Sequence, residues 1–370
     1  MLQNNCMLCT GRIISVLLIY LSRIIDQGLN TKYILFLNII TNNKLFISVE
    51  SSDIMKRKVN LVGINTLTIS LPKKWVDIHE LKKGDELDLI EEGDSLIINS
   101  KLNTSHNRTL NMDITGLDRT SVLIAIRGAY RAGYDVIQIK FDKQNVIHHR
   151  TGGQMKLLSI IHETVNLLVG SEIVSQDEGG CVIKDFSANT GDELESTIRR
   201  IFLLLMESTS DFVKGLTKRD TFLVSTMDEK HDTISKFISY SIRMINKGAK
   251  IPGKRSEIIY HILLSLDNIM EVYRSSARDY IQFNAPKISA KTLKIIGEIN
   301  GCLRIFYEMY YSFDNKKSSE FILRKGEIKA QILNKLDEYQ LKELLIIHYM
   351  SHNLDLIWDL VLALRTDVIN

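Results

Sequence analysis

From Lys56 onward the chain alternates. Leu67, Ile69 and Leu71 interleave with Thr66, Thr68 and Ser70, and Leu87 and Leu89 interleave with Glu86 and Asp88. A period of two predicts strands, with Gly84-Asp85 and Gly93-Asp94 as turns and a short helix starting near Pro72. Residues 56–100 thus read as strand, turn, strand, short helix and two further strands. About 45 residues of this kind bury too little apolar surface alone, so two copies are expected to complete one barrel.

Further on the period changes twice. Residues 109–114 read as a strand, Asp118 caps a helix through Ala132 that stops at Gly133, and residues 136–141 alternate again. Residues 154–169 have helical spacing, and residues 172–185 read as a hairpin turning at Gly179-Gly180. Residues 105–188 are therefore expected to form a small α/β unit. From residue 190 the period is helical only, over 192–215, 219–248, 254–283, 289–313, 317–338 and 340–366. Gly215, Gly248, Pro252, Pro286 and Asp314-Asn315 mark the breaks. Helices of this length with short loops predict two three-helix bundles in series over 190–370.

Composition narrows the classes of function. The chain has 370 residues, 45% apolar and 25% charged, with 3 Pro and 20 Gly, the balance of a multidomain globular protein rather than a low-complexity one. A formal charge of +3 does not mark the whole chain as a nucleic-acid binder, so such a role must rest on a local basic patch. Cys6, Cys9, Cys181 and Cys302 are too scattered for a disulfide framework, and a reducing cytoplasm is the expected location.

Residues 1–54 stand apart. Cys6-Met-Leu-Cys9 has the spacing of half a zinc or redox site but no second pair beside it. The apolar run at 13–21 is bounded by Arg12 and Arg23, the run from Tyr33 is broken by Asn38, Asn42, Asn43 and Lys44, and neither spans a bilayer, so no membrane insertion is expected. No small-residue cleavage site follows them. Patterning begins at Met55, which is read as the first residue of the protein, with the stretch before it as upstream read-through.

The first patterned segment resembles the AbrB/SpoVT swapped-hairpin family. The match runs through Gly63-Ile-Asn-Thr-Leu-Thr-Ile-Ser-Leu-Pro72-Lys73 and then Leu81-Lys82-Lys83-Gly84-Asp85. The resemblance implies a homodimeric domain over 55–101 with a basic face for DNA, where Lys56, Arg57, Lys58, Lys73 and Lys74 would meet phosphates. Acids outnumber bases between Asp77 and Asp94, and such barrels also serve purely to dimerise.

In the helical part, Asp267 and Glu271 lie at i and i+4, and Asp355 and Asp359 repeat the spacing in the corresponding helix of the second half. Carboxylates one turn apart repel unless a cation relieves them. Asp228 and Asp232 form a further pair at a helix start, where acids also oppose the helix dipole. His348, His352, Asp355 and Asp359 fall on one stripe, either a donor set that suits zinc, iron or manganese or a solvated polar stripe with His348 half buried. Arg119, Arg127 and Arg131 recur along one helix, read as a solvated face in preference to an anion site. Gly248-Ala-Lys-Ile-Pro-Gly253-Lys254-Arg255 nearly spells a phosphate loop, yet it follows a helix and lacks the terminal hydroxyl, so a helix-capping linker is expected. No enzyme signature is found, and no enzyme is expected.

The paired acids resemble the E/D-x-x-x-D signature of PhoU proteins, which are built from two three-helix bundles. Glu271 replaces an aspartate, and neither copy keeps the family's histidine after the last acid. The resemblances together imply a multidomain, mainly α protein: a swapped-hairpin β-barrel module, a small α/β middle unit and a PhoU-like pair of three-helix bundles. The implied function is regulation of phosphate uptake by DNA binding, with a divalent transition metal on Asp228, Asp232, Asp267, Glu271, His352, Asp355 and Asp359. The alternative is a metal-binding adaptor that contacts the phosphate transporter ATPase or its signalling partner and uses the hairpin module only to dimerise.

Overall fold

The structure, a computed structural model, describes residues 56–63, 65–92, 95–100, 108–148, 153–187, 193–334 and 336–368. The Cys6/Cys9 pair, the early apolar runs, the start at Met55 and the Gly93-Asp94 turn lie outside the described residues. Two compact units divide the chain, residues 1–102 and residues 103–370.

The first unit contains β1 (Val59–Val62), β2 (Thr66–Ile69), α1 (Lys73–Ile78), β3 (Leu87–Glu92) and β4 (Ser95–Ser100). β1 pairs with β2 and β3 with β4, each antiparallel. Pro72 precedes α1, where its missing N–H costs nothing and its carbonyl accepts from Trp75 and Val76. Register puts Val59 opposite Ile69 and Leu61 opposite Leu67, so four apolar side chains share one face. All four are more than half exposed. The hairpin presents a hydrophobic face that nothing among the described residues of its unit covers.

The second unit is mainly helical, with an α/β layer at its start. β5 (Thr109–Asp113), α2 (Arg119–Arg131), β6 (Val136–Lys140), β7 (Asn145–His148), β8 (Gly153–Lys156), α3 (Leu157–Asn166), β9 (Ser171–Gln176) and β10 (Gly180–Asp185) follow in order. The four-stranded sheet runs β5-β6-β10-β9. β5 and β6 are parallel and the other neighbours antiparallel, which the α2 crossover requires. Ile137, Ile139, Cys181 and Ile183 are buried from the sheet, and Val122, Ile126, Ile160 and Ile161 from α2 and α3 join them in the core. Asp118 caps α2 by accepting from the Ser121 N–H at 2.8 Å, and Gly133 at φ +89° closes it in the left-handed conformation that its sequence position predicts. The helix expected over 154–169 begins only at Leu157, because residues 153–156 are spent on the β7–β8 hairpin.

Next come α4 (Glu193–Lys218), α5 (Thr221–Ser225), α6 (Met227–Asn246), α7 (Ser256–Gln282), α8 (Ala290–Tyr311), α9 (Asn315–Leu333) and α10 (Leu341–Val368). α4, α6 and α7 pack together, α8 packs on α9 and α10, and contacts of α7 with α10 and of α4 with α8 join the two sets. Gly215, expected to end its helix, lies inside α4. A Cβ there would meet the Val224 side chain at 2.6 Å, so the glycine serves the close approach of α5 rather than a break. The helix expected over 219–248 is divided at Thr226, and α9 stops at Leu333 short of the expected 338. The 248–255 segment is the linker expected: Gly248 and Ala249 donate to the end of α6, and Lys254 Nζ donates to the Tyr310 carbonyl at 2.7 Å. No helix among the described residues is long and apolar enough to cross a membrane.

Candidate functional site

Two places gather the residues singled out in the sequence. The first is the hairpin module. Lys56, Arg57 and Lys58 lead into β1 and are exposed, as are Lys73 and Lys74 at the start of α1. Because Val59 opposes Ile69, the chain before β1 and the chain after β2 leave the same end of the hairpin, and both basic segments lie there. Trp75, half-buried, sits 4.7 Å from the His79 ring and fixes α1 locally. Cations on short, exposed segments fit the spaced charges of a phosphate backbone and ask for no base-specific geometry.

The second place is the seam where α2 meets α6 and α7. Arg127 and Arg131, expected on a solvated face, are half-buried there. Arg127 Nη1 donates to Ser235 Oγ at 3.2 Å and Arg131 Nε to Ser239 Oγ at 3.1 Å. Both pairs are 108 residues apart, so α2 and α6 run parallel with a matched four-residue spacing. Arg119, also half-buried, pairs instead with the exposed Glu163 at 3.4 Å.

The seam absorbs the acids of the first half. Asp267 accepts from Arg131 Nη2 at 3.1 Å. Asp228 pairs with Arg278 across to α7, and Glu271 pairs with Arg274 one turn on. His231, buried between α6 and α7, places Nδ1 3.0 Å from Asp232 and Nε2 3.1 Å from Glu271. Burial alone would depress its pKa, but the two carboxylates outweigh it and the net shift is upward. Burial would likewise raise Glu271, yet hydrogen bonds from His231 and Arg274 hold it at about 2. Asp232 is lowered by its bond with His231.

In the second half Asp355 lies 2.6 Å from Lys329 and 3.3 Å from Lys325. Asp359, His352 and His348 are exposed on α10, though burial of its ring still lowers the pKa of His348. Among the described residues no three His, Cys, Asp or Glu side chains converge where a metal ion could be held. Asp228, Asp232, Asp267, Glu271 and Asp355 have protein cations or His231 as partners instead. The repulsion that a metal was expected to relieve is thus relieved from within the fold.

The sequence reading overlooked the anchor of this seam. Arg243 on α6 is fully buried, and every one of its partners belongs to the α/β layer. Nη1 donates to the carbonyls of Tyr130 at 2.9 Å and Tyr134 at 2.8 Å, and Nη2 to Asp135 at 2.9 Å and Asp185 at 2.8 Å. Asp135 also accepts from Lys247 and from the Arg108 N–H. Burial works against its ionisation, but these donors win and its pKa is lowered. A signal existed: Ser235, Ser239 and Arg243 recur every four residues, interleaved with Ile234, Ile238, Ile242 and Met244.

With that geometry in place, the comparisons address the first unit. Residues 63–103 match the family described as Antidote-toxin recognition MazE, bacterial antitoxin. No curated protein and no solved structure matches the chain. The N-terminal domain is AbrB/MazE-like, as its Gly63 to Asp85 run suggested.

Proposed function

We propose that the protein is a homodimeric DNA-binding transcriptional regulator that acts by binding rather than catalysis. Its hairpin modules dimerise to form the DNA-facing surface, and its helical unit carries the regulatory input. The observation that supports this most is the uncovered face of Val59, Leu61, Leu67 and Ile69 within a segment matching the MazE antitoxin family. Burying the exposed halves of four such side chains is worth roughly 4 to 6 kcal/mol per copy, enough from two copies to offset much of the cost of association. Dimerisation would double the basic ends at Lys56–Lys58 and Lys73–Lys74, and AbrB/MazE-like domains characteristically bind DNA as dimers.

The finer reading is a PhoU-like regulator of phosphate uptake. Its support is the recurrence of the acid pairs in α7 and α10 and the packing of six long helices against one another. In this reading a divalent metal would have to displace the protein cations and His231 that now pair with Asp228, Asp232, Asp267, Glu271 and Asp355.

DNA binding is tested on the full chain by measuring affinity against salt for the wild type and for a variant with Lys56, Arg57, Lys58, Lys73 and Lys74 all changed to Gln. Each lost phosphate contact should flatten the log–log slope by about 0.9. An unchanged slope removes these residues from the interface. Recovery of bound genomic fragments then tests the phosphate reading: enrichment beside phosphate-transport genes is expected, and enrichment elsewhere alone would overturn it.

A further inference from the structure

Three turns meet at one end of the helical unit. The α4–α5 turn touches the α7–α8 turn where Arg219 Nε donates to the Ala285 carbonyl at 3.1 Å. The α7–α8 turn touches the start of α10 where Lys342 Nζ donates to the Phe283 carbonyl at 3.3 Å. The buried Glu343 carboxylate fastens the same two segments, accepting from the Ser289 N–H at 2.6 Å and the Gln340 N–H at 3.3 Å. Each of the three raises one large apolar side chain into solvent: Phe222 is 80% exposed, Phe283 39% and Leu341 56%. Isolated exposed apolar residues are ordinary, but three on linked turns form a patch. Residues 218–222, 282–288 and 340–342 also hold four cations and one acid. Lys218, Arg219, Lys287 and Lys342 have no carboxylate partner among the described residues, and Asp220 is engaged in capping α5, where it accepts from the Leu223 N–H at 2.9 Å. Arg219, Asn284 and Ala285 stand at φ +54°, +60° and +46°, three of the four non-glycine residues in the left-handed region among the described residues. Backbone of this kind costs stability and gathers where a surface has a task.

We propose that this end of the helical unit docks on an anionic bilayer surface, with Phe222, Phe283 and Leu341 reaching the boundary between headgroups and acyl chains while the four cations meet lipid phosphates. Apolar tips carried on separate turns suit a fluid layer that closes around each one, whereas a DNA backbone offers phosphates but nothing apolar to receive them. The turns can enter that layer without stranding these donors, because the N–H groups of Asp220, Phe283, Asn284 and Ala285 already donate to the carbonyls of Gly215, Asp279, Ile281 and Tyr280 at 2.9 to 3.0 Å. Long lysine side chains on the same segments can lie along the apolar tips and keep their charge among the headgroups. Glu229 and Asp337, exposed on adjoining segments, temper the positive charge, so binding draws on both terms. A buried aromatic tip contributes roughly tenfold to the partition constant and a cation near an anionic surface about fivefold. The contact is peripheral and reversible. It concerns the second unit alone and does not require the hairpin module to bind DNA.

The test is flotation of the full-length protein with vesicles of equal parts phosphatidylglycerol and phosphatidylcholine, paired with hydrogen exchange on the bound protein. Binding is expected, at least about fivefold weaker on phosphatidylcholine alone, with slowed exchange in the helical unit centred on 218–222, 282–288 and 340–342. Phe222→Ser, Phe283→Ser and Leu341→Ser together should weaken binding at least about thirtyfold while keeping the wild-type melting temperature, since all three side chains are exposed. Leu323→Ser, at a comparably exposed residue on α9, should bind as the wild type does. Absence of flotation in the wild type, or equal binding by the triple variant, would overturn the proposal. So would slowed exchange of these turns on adding duplex DNA, or on raising the protein concentration, without vesicles, which would assign this end to nucleic acid or to a second copy of the chain.

Discussion

Replacing Arg243 with alanine should loosen the α/β layer from the helices more than any other single change. The side chain makes four hydrogen bonds, two of them to carboxylates. Charge-assisted bonds contribute about 1.5 to 3 kcal/mol each, but four bonds from one group are lost together and do not add. The better guide is the cost of stranding a buried partner, about 3 to 5 kcal/mol. Asp135 keeps Lys247 after the change, whereas Asp185, only 3% exposed, keeps just the Ser187 hydroxyl among the described residues. The cost therefore falls mainly on Asp185. A chain of two units need not unfold in one step, so amide exchange in α2 and β6 is the right measurement. Protection there should drop by roughly two to almost four decades at neutral pH, at 1.36 kcal/mol per decade. The sign of the pH dependence follows from linkage. The folded-state pKa of Asp135 is depressed, so its contribution is present above the unfolded value, near 3.9, and is lost as pH falls through the folded one. This narrows the gap between wild type and variant as the pH drops below about 4. Adding Asp185→Asn to the variant should recover part of the loss at pH 7. A loss under about 1 kcal/mol that does not vary with pH would refute this account of the seam.

Leu61→Asp with Leu67→Asp should convert the full chain to a monomer in light scattering, since two carboxylates per copy would enter the apolar face; a persistent dimer would place the interface elsewhere. Gly215→Ala should destabilise the protein by about 1 to 3 kcal/mol despite the better helix propensity of alanine, because its Cβ would press on Val224; a raised melting temperature would contradict that contact. Zinc, ferrous iron or manganese should leave the melting temperature unchanged, and Asp355→Asn should cost under about 1 kcal/mol as a half-exposed lysine partner is lost; stoichiometric metal that disappears in Asp355→Asn with Asp359→Asn would restore the metal site.

The legible parts of the chain were those that local rules dictate. The alternation of Leu67 and Ile69, the Asp118 cap and the Gly133 stop each declare themselves within a few residues. The long helices were legible for the same reason, through an apolar stripe carried over many turns. Short elements failed. Residues 145–148 and 153–156 form strands of four residues each, too brief for a period of two to stand out against the helix that follows. Gly215 misled because a helical glycine signals an end or a close neighbour equally well, and only the position of Val224 decides. The candidate metal ligands were visible as acids at i and i+4, but their partners were not. Arg131 meets Asp267 across 136 positions, and Arg243 meets Asp185 across 58. No local pattern carries pairings of that range.

The Arg243 anchor bears on how such a protein can be inherited. A cut near residue 190 would leave the first fragment with two carboxylates and two carbonyls turned toward water, and the second with a guanidinium set among Ile242, Met244 and other apolar groups. Neither half could be joined to a new neighbour without first replacing those groups. The hairpin module carries its apolar face and its basic ends within one short stretch, and it can be traded between unrelated proteins as a cassette. The α/β layer and the helices behind it can only travel together, and a search for distant kin should treat them as one unit of descent.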